Sequence, residues 1–257
     1  MVEDIDLYFI EQGEGIPLVF LHGYPLDHRI WLPVFSFLNR HIHIIAPDLR
    51  GHGQSPVPKG VYLMSLVVED VIRLLDKLQI EKAVIAGHSM GGYVAFEFWH
   101  KHPERISGIA LVATRSNADS EERRLERLQT ANEVMKTGTS RVVNSMLMKL
   151  TRRTELYPQV REIMDGISPQ GVAGILRGIA DRDNASPWLS QITVPVVVIA
   201  GKEDQIVPVN ESIEMAKKLP NVHLELLQHA GHLPMMEDPA KVADCFNDLV
   251  LRAGNLG

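Results

Sequence analysis

The most informative stretch of the chain is Lys82–Gly92, which reads Lys-Ala-Val-Ile-Ala-Gly-His-Ser-Met-Gly-Gly. Its first five residues form a short apolar run that predicts a buried strand, and the residues after Ser89 have the pattern of a helix. Gly87 and Gly91 stand two positions before and after Ser89, in the spacing Gly-x-Ser-x-Gly. This spacing is typical of a strand-to-helix turn so tight that the neighbours of the serine must lack Cβ atoms. The stretch therefore predicts that Ser89 lies at the tip of a sharp turn.

A serine hydroxyl is a weak nucleophile at neutral pH, so a catalytic Ser89 needs a base and an acid that orients the base. Around a turn of this kind, the acid and then a histidine follow later in the chain. Asp204 follows the predicted strand Val194–Ala200, and His232 follows the predicted strand Val222–Leu227. Both would lie at the carboxyl ends of strands, where open α/β sheets gather their ligand sites. The order predicts Ser89 as nucleophile, His232 as base and Asp204 as orienting acid.

Other residues compete for these roles. The chain has eleven histidines, and His229 is the main rival of His232 as the base. Gly231 favours His232, because a glycine permits the sharp loop that can aim an imidazole inward. For Ser89 itself, the alternative is a glycine-rich turn with a serine that caps a helix. The competitors of Asp204 are Glu203 and Asp119.

Acyl transfer through a serine also needs two backbone N–H groups to hold the oxyanion of the tetrahedral intermediate. One belongs to the residue after the nucleophile, which is Met90, and the other to an early loop between a strand and a helix. The loop His22-Gly23-Tyr24-Pro25 directly follows an apolar strand, so Tyr24 is predicted to supply the second group. Gly23 lets the backbone approach closely, and His22 is expected to brace the loop without a catalytic role.

Short β-branched runs alternate with helical stretches in both terminal parts of the chain. This rhythm predicts an α/β fold with a mostly parallel central sheet flanked by helices. The first two strands are predicted to pair through the turn Gly13-Glu14-Gly15. The predicted strands are Ile5–Glu11, Ile16–Leu21, His43–Pro47, Lys82–Ala86, Ile106–Thr114, Val194–Ala200 and Val222–Leu227. The predicted helices that alternate with them are Leu63–Leu78, Ser89–His102, Val209–Leu219 and Ala240–Leu251.

The alternation breaks in the middle of the chain. From Arg115 to about Pro187 no run has the pattern of a strand, and glycines and prolines separate four helical stretches. We therefore predict that residues 115–187 form a helical lid inserted into a core domain of residues 1–114 and 188–257. The four predicted helices are Asp119–Lys136, Ser140–Leu150, Glu155–Gly166 and Pro169–Ala180.

The lid is also expected to shape the substrate pocket. It contains several methionines, whose side chains adapt to ligands of different shape. The charge run Glu121–Arg127 is interpreted as a solvated helix face. The cations in the predicted catalytic loops are Arg50 and Lys202, which argues against an anionic substrate. The residues predicted to line the pocket are Tyr24, Met135, Met146, Met148 and Met164.

The composition excludes several classes of protein. The chain has 257 residues, 45% of them hydrophobic and 23% charged, which is ordinary for a globular protein with a sizeable core. A net charge of −6 without a basic stripe argues against nucleic acid as a partner. The most apolar run, Val194–Ala200, is much shorter than the about 18 residues of a membrane helix. With an acidic N-terminus unlike a signal peptide and the single cysteine Cys245, we expect a soluble cytoplasmic protein without disulfides.

No metal or cofactor is predicted. Asp48 and His52 are spaced like metal ligands, but no third ligand lies nearby in the sequence. The loop lacks the lysine of a phosphate-binding loop, and the chain has no Rossmann glycine pattern. We interpret the loop Asp48–Gly53 as structural, with Arg50 hydrogen-bonded to backbone carbonyls. The sequence leaves the oligomeric state open.

Five motifs of the chain occur together in one protein family. They are His22-Gly23-Tyr24-Pro25, Pro47-Asp48-Leu49-Arg50-Gly51-His52-Gly53-Gln54-Ser55, Gly87-His88-Ser89-Met90-Gly91-Gly92, Gly201-x-x-Asp204 and Gly231-His232. With them the chain resembles the α/β-hydrolase superfamily, and in particular its small lid-bearing carboxylesterases and enol-lactonase-like members. The resemblance spans residues 22–232, and only the helical block is unspecific. Residues 20–31 are similar to the thermophilic carboxylesterase branch.

The resemblance implies a serine carboxylesterase that hydrolyses short- to medium-chain esters through an acyl-enzyme, with a small-molecule ester as partner and no cofactor. Dehalogenases and epoxide hydrolases of this superfamily carry an aspartate as nucleophile, so Ser89 departs from their pattern. The alternatives are a lactonase, a C–C bond hydrolase or a perhydrolase with the same three residues, and a non-catalytic small-molecule receptor. Every catalytic position is filled, which disfavours the receptor.

Overall fold

Seven strands form a single sheet in the computed structural model, which describes residues 3–254. The strands are β1 (Phe9–Gln12), β2 (Ile16–Leu21), β3 (Ile42–Pro47), β4 (Ala83–His88), β5 (Ile106–Val112), β6 (Val196–Gly201) and β7 (Val222–Leu227). Their order across the sheet is β1-β3-β2-β4-β5-β6-β7, and β1 is antiparallel to its neighbour while the other pairs are parallel. The predicted mostly parallel α/β sheet is confirmed.

Ten α-helices occur within residues 3–254. They are α1 (Leu32–Phe35), α2 (Met64–Lys77), α3 (Met90–Lys101), α4 (Glu121–Thr137), α5 (Ser140–Leu150), α6 (Tyr157–Met164), α7 (Pro169–Ala180), α8 (Val209–Ala216), α9 (Pro234–Glu237) and α10 (Pro239–Gly254). Helices α4 to α7 all lie between β5 and β6, where the sequence predicted four helices. The helices α1 and α9 were not predicted, because four residues are too few to show a period. No helix of the described part of the chain is long and apolar enough to cross a membrane.

The core consists of two apolar clusters, one on each face of the sheet. Successive side chains of a strand point to opposite faces. Along β2, Val19 and Leu21 belong to the first cluster, whereas Leu18 and Phe20 belong to the second. Helices α2, α3 and α8 contribute to the first cluster, and α1, α9 and α10 to the second. Helices α4 and α7 extend the first cluster, and α5 and α6 extend the second, so the central helical block packs on the core at both sides.

The pairing of β1 corrects the predicted topology. The expected hairpin of the first two strands is wrong, because β1 pairs with β3, with Phe9 opposite Pro47, and β3 lies between β1 and β2. The turn that leaves β1 crosses close to the start of β3. Gly15 has a φ of 120°, which favours glycine, and a Cβ atom there would collide with the backbone of His41. This close crossing moves the chain past β3 before β2 begins.

The loop after β3 is held by an ion pair. Arg50 is buried, and its Nε and Nη2 donate to the two carboxylate oxygens of Asp70 in α2 at 2.5 and 2.6 Å. Its contact with a backbone carbonyl, that of Glu3, is long at 3.4 Å. The expectation that Arg50 mainly binds carbonyls is therefore wrong. A buried guanidinium needs a charge partner, and the forked geometry with a carboxylate provides one.

Candidate active site

Ser89 occupies the turn between β4 and α3. Its φ of 51° and ψ of −108° are rare for a residue other than glycine, and such strain costs about 1–3 kcal/mol. The N–H of Ser89 donates to the carbonyl of Val112 at 2.9 Å. The hydroxyl of Thr114 donates to the carbonyl of Ser89 at 2.7 Å. The end of β5 therefore holds Ser89 in a strained conformation at the carboxyl edge of the sheet.

Two glycines make this turn possible. A Cβ atom on Gly87 would lie 2.6 Å from the backbone nitrogen of Gly92, and one on Gly91 would lie 2.7 Å from the carbonyl carbon of Leu21. Real Cβ atoms do not approach backbone atoms so closely, so any other residue would force the turn apart. The spacing Gly-x-Ser-x-Gly thus follows from two close contacts, that of Gly87 with the start of α3 and that of Gly91 with the end of β2.

Asp204 and His232 meet at the same edge of the sheet. Nδ1 of His232 donates to Oδ2 of Asp204 at 2.7 Å, and both side chains are buried. The other carboxylate oxygen of Asp204 accepts the N–H groups of Ile206 and Val207 at 2.7 and 2.9 Å. Because these bonds fix the carboxylate and the carboxylate fixes the ring, Nε2 of His232 remains available as a proton acceptor.

The rival residues lie elsewhere. The side chain of His229 is 89% exposed, and its ring lies 3.9 Å from the carboxylate of Glu203 at the surface. Asp119 is bound to Arg127 of α4 and does not contact a histidine within residues 3–254. His22 braces the early loop as expected, since its Nε2 accepts the N–H of Leu49 at 2.9 Å.

The backbone of His232 is held from two sides. Its N–H donates to the carbonyl of Leu150, the last residue of α5, at 3.2 Å. Its carbonyl accepts Nε2–H of His88 at 2.8 Å. Burial keeps the pKa of His88 well below the ordinary value for histidine, so this ring stays neutral. His88 is the variable residue before the serine in the turn motif, and the motif alone did not indicate its role.

A buried carboxylate fixes the loop that carries His232. Glu237 accepts the N–H of Gly231 at 2.6 Å with one oxygen and the hydroxyl of Thr151 at 2.5 Å with the other. Burial raises the pKa of Glu237, which the two hydrogen bonds partly offset. Glu237 thereby ties the end of α5 to the loop that carries His232, and no sequence pattern pointed to it.

Glu237→Leu is expected to lower both stability and activity. The variant removes the acceptor of the buried N–H of Gly231 and of the O–H of Thr151, which costs about 1–3 kcal/mol of unfolding free energy. A looser His232 loop should lower kcat/KM by about tenfold through misplacement of the base. Urea unfolding and ester hydrolysis measure the two effects, with the exposed Glu203→Leu as the matched control. Full activity in a destabilised Glu237→Leu protein would show that Glu237 supports only the fold.

Two backbone N–H groups near Ser89 lack a hydrogen-bond acceptor in the described part of the chain. The N–H groups of Tyr24 and Met90 have no acceptor among residues 3–254. Both residues are buried and line the same cavity as Ser89. A Cβ atom on Gly23 would lie 3.1 Å from Cβ of Ser89, so the early loop closely approaches the serine. Buried unpaired donors beside a nucleophile are the arrangement that stabilises a developing oxyanion.

The candidate catalytic groups face a cavity of about 390 Å³ beneath α4 and α5. An outer cavity of about 340 Å³ continues from it between these two helices. In addition to Tyr24, Ser89, Met90 and His232, the inner cavity is lined by Tyr93, Arg123, Glu126, Arg127, Met146, Lys149, Ile179, Gln205 and Ile206.

Of the four methionines predicted to line the pocket, the structure places Met146 there. Met135 and Met148 are 52% and 62% exposed, and Met164 is fully buried in the second apolar cluster. The prediction is therefore wrong for these three. Two positions along a helix differ by about 200° around its axis, so Met146 and Met148 of α5 cannot both face the cavity. The sequence did not determine how the helices are rotated about the site.

The charge run of α4 is also corrected. Glu126 and Arg127 lie three and four residues after Arg123, so the three share one helix face. That face lines the cavity instead of facing only solvent. Lys149 of α5 lines it as well. The argument against an anionic substrate counted only the cations of the catalytic loops, and it fails because the helices α4 and α5 bring further cations to the cavity.

A second cluster lies beside the loop after β3. Asp27, His28 and Asp48 place one potential ligand atom each within 4.8 Å of one another, so the expected isolation of Asp48 is wrong. Nδ1 of His28 lies 2.7 Å from Asp48, and Asp27 binds the guanidinium of Arg29 at 2.7 Å. His52 is outside the cluster and contacts a backbone carbonyl. Both carboxylates therefore already have partners. The contact between His28 and Asp48 joins two loops of the fold.

Comparison with known proteins identifies the family. A family model described as alpha/beta hydrolase fold matches residues 16–239. The chain belongs to this family. The hydrolase superimposes with a TM-score of 0.94 on a thermophilic esterase from Thermogutta terrifontis solved with malate bound. The two sequences are 33% identical, and the alignment covers 97% of this chain and 94% of that one.

Curated relatives include different hydrolases. The chain is 27% identical to 3-oxoadipate enol-lactonase 2 of Acinetobacter baylyi, over 89% of this chain and 86% of that protein. It is 28% identical to the pimeloyl-(acyl-carrier protein) methyl ester esterase of Legionella pneumophila, over 90% and 94% of the two chains. The predicted resemblance to the esterase and enol-lactonase branch is confirmed.

Proposed function

We propose that this hydrolase is a serine carboxylesterase that hydrolyses short- to medium-chain carboxylic esters through an acyl-enzyme. The observation that carries the proposal is the convergence of the catalytic groups on one cavity. Ser89 lies in a strained turn, and Asp204 orients His232. This is the set of groups that acyl transfer to a serine requires. The similarity to a thermophilic esterase supports an ester as the bond that is broken.

In acylation, Oγ of Ser89 attacks the ester carbonyl carbon while Nε2 of His232 accepts the hydroxyl proton. The negative charge that develops on the carbonyl oxygen is stabilised by the N–H groups of Tyr24 and Met90. The bond to the alcohol oxygen then breaks, and the proton passes from His232 to the leaving alkoxide. The acyl group remains on Ser89.

In deacylation, a water molecule takes the place of the alcohol. His232 accepts a proton from the water as its oxygen attacks the acyl carbon, and the same two N–H groups hold the second oxyanion. Collapse of this intermediate releases the carboxylic acid, and His232 returns the proton to Oγ of Ser89. The carboxylate of Asp204 stabilises the imidazolium in both halves of the reaction.

We further propose that α4 to α7 act as the lid and limit the acyl length. The inner cavity of about 390 Å³ is within the range of about 300–1,000 Å³ of small-molecule sites. Met146, Ile179 and Ile206 provide apolar walls, whereas Arg123 and Lys149 line both the inner and the outer cavity. A long acyl chain would therefore have to pass charged side chains.

A series of p-nitrophenyl esters from acetate to palmitate tests the acyl length. We expect kcat/KM to rise by about fourfold for each methylene that the cavity buries, equivalent to about 0.8 kcal/mol. It should then fall for chains longer than octanoate, once the cavity is full. A maximum at dodecanoate or beyond, or activation at an oil–water interface, would instead indicate a lipase.

A lactonase is the second candidate, favoured by the similarity to 3-oxoadipate enol-lactonase 2. A lactone is a cyclic ester, so the same residues could open it, with the leaving alkoxide remaining on the acyl chain. Titration of the released acid compares δ-valerolactone with ethyl pentanoate under identical conditions. A higher kcat/KM for ethyl pentanoate supports the esterase, and a higher value for the lactone supports the lactonase.

A further inference from the structure

The wall of the inner cavity carries more positive than negative charge. Arg123, Arg127 and Lys149 line it, and the acidic residue among the lining side chains is Glu126. The whole chain has a net charge of −6, so the cavity departs from the average of the protein. A cavity with a charge opposite to that of its surroundings concentrates ligands of the other sign.

One carboxylate behind the wall is shared among three guanidinium groups. Asp119 lies 2.5 Å from Arg127 and 3.0 Å from Arg182, but 4.0 Å from Arg123. Arg127 and Asp119 form the short pair, so their charges largely cancel. Arg182, which lies outside the inner cavity wall, also draws on Asp119 and leaves still less of its charge for Arg123.

Two cations therefore lack a close partner. The side chain of Arg123 is 39% exposed. Burial, together with the charges of Arg115 and Arg127, lowers the pKa of Arg123, so its surroundings disfavour the positive charge. Lys149 forms no ion pair with any residue between 3 and 254. Arg115 does not add to the charge of the wall, because it lies outside the inner cavity and is paired with Glu211 at 3.7 Å. Arg123 and Lys149 contribute two positive charges and Glu126 contributes one negative charge. The wall therefore retains a surplus of about one positive charge at neutral pH.

We propose that the preferred substrate is an ester that carries a second, free carboxylate, and that Arg123 and Lys149 bind this carboxylate while the ester lies at Ser89. The inference rests on the proposed esterase function and specifies its substrate class. A guanidinium matches the two oxygens of a carboxylate, and an ammonium adds a mobile point charge. The surplus of one charge suits a monoanionic carboxylate better than a dianionic phosphate. Monoesters of dicarboxylic acids have this chemistry.

A pair of substrates of equal length tests the proposal. One is the mono-p-nitrophenyl ester of adipic acid, and the other is p-nitrophenyl methyl adipate, in which the free carboxylate is masked. We expect kcat/KM to be about tenfold higher for the charged ester, the effect of one charge-assisted hydrogen bond at a half-buried site. The preference should weaken as ionic strength rises, because salt screens exposed charges.

Variants identify the groups responsible. Arg123→Met and Lys149→Met should each reduce the ratio of the two kcat/KM values, and the double variant should bring it to about one. Arg124→Met is the matched control, because Arg124 is the sequence neighbour of Arg123, pairs with Glu121 at 3.5 Å and does not line the cavity. It should leave the ratio unchanged.

The outcomes separate this proposal from the esterase proposal. If the masked ester is hydrolysed as fast as the charged one, the carboxylate site is wrong and the esterase stands. If neither ester is hydrolysed, the esterase fails, and calorimetry with monomethyl adipate, which carries one free carboxylate, then decides the carboxylate site separately. Binding of monomethyl adipate that Arg123→Met and Lys149→Met abolish supports the site. No binding to the unmodified protein, or equal binding to the variants, overturns it.

Discussion

Replacing Ser89 with alanine is expected to lower kcat by about 10⁵- to 10⁶-fold, the loss seen when the nucleophile of such a site is removed. The physical reason is that His232 and Asp204 alone provide no oxygen on which the acyl-enzyme could form. The variant removes a single oxygen atom at the wall of a cavity, so the unfolding midpoint should not change. Hydrolysis of p-nitrophenyl butyrate and thermal unfolding measure the two properties.

The matched control is Ser116→Ala. Ser116 is also buried and follows the neighbouring strand β5, but it does not line the inner cavity. It should retain full activity. Some hydrolysis by Ser89→Ala, about 10³- to 10⁴-fold above water, is compatible with the account, because binding and the oxyanion donors remain. Activity of Ser89→Ala equal to that of the control would contradict the assignment.

His232→Ala should be as severe as the loss of Ser89, and Asp204→Asn should lower kcat by about 10⁴-fold. Without His232 no group accepts the hydroxyl proton, and without the carboxylate the ring adopts the wrong tautomer. The matched control for His232 is His229→Ala, and the matched control for Asp204 is Glu203→Gln. Both change an exposed side chain, a histidine in the first case and a carboxylate in the second. We expect both controls to hydrolyse p-nitrophenyl butyrate within about twofold of the unmodified protein. A mild His232→Ala with a severe His229→Ala would reverse the assignment of the base.

The same account predicts a loss of kcat/KM toward acid pH. Only neutral imidazole can accept the proton of Ser89, so protonation of His232 stops acylation. His88 contacts the same loop, but burial keeps its pKa well below the ordinary value, and it therefore stays neutral over this range. The acid limb should consequently fit the titration of one group. Two groups in that limb would implicate a second titrating residue, such as Glu237, whose pKa is raised by burial and which holds the loop of His232.

The candidate catalytic residues could be predicted because each lies in the turn or loop that follows a strand. Parallel strands end at one edge of the sheet, so Ser89, Asp204 and His232 had to come close together. Gly231 favoured His232 over His229, and the structure places His232 beside Asp204 and His229 at the surface. The tight turn at Ser89 could also be predicted, because Gly87 and Gly91 stand at the positions where the backbone packs too closely for a Cβ atom.

The lining of the cavity could not be predicted in the same way. A hydrophobic period shows that α4 and α5 are helices, but it does not show which side faces Ser89. Helix α4 carries charged residues almost all round, so Arg123 could not be distinguished from Arg124 by pattern. The same uncertainty misplaced Met148. Rotation of a helix about its axis is set by contacts with distant residues, such as that of Asp119, just before α4, with Arg182.

Long-range partners explain the remaining differences. The pairing of β1 with β3 depends on which strand edge is free, and the local turn at Gly13–Gly15 suits either arrangement. Glu237 contacts Thr151 across 86 positions of sequence. Such contacts leave no periodic signal, so a single sequence could not reveal them.

Mass spectrometry of the protein after reaction with a p-nitrophenyl phosphonate tests the central claim most directly. Attack by the nucleophile on phosphorus expels p-nitrophenolate and leaves a stable phosphonyl ester on the attacking oxygen. The account predicts one adduct per chain, on the peptide that contains Ser89, and none in Ser89→Ala. An adduct on another residue that abolishes activity, or equal labelling of Ser89→Ala, would contradict it.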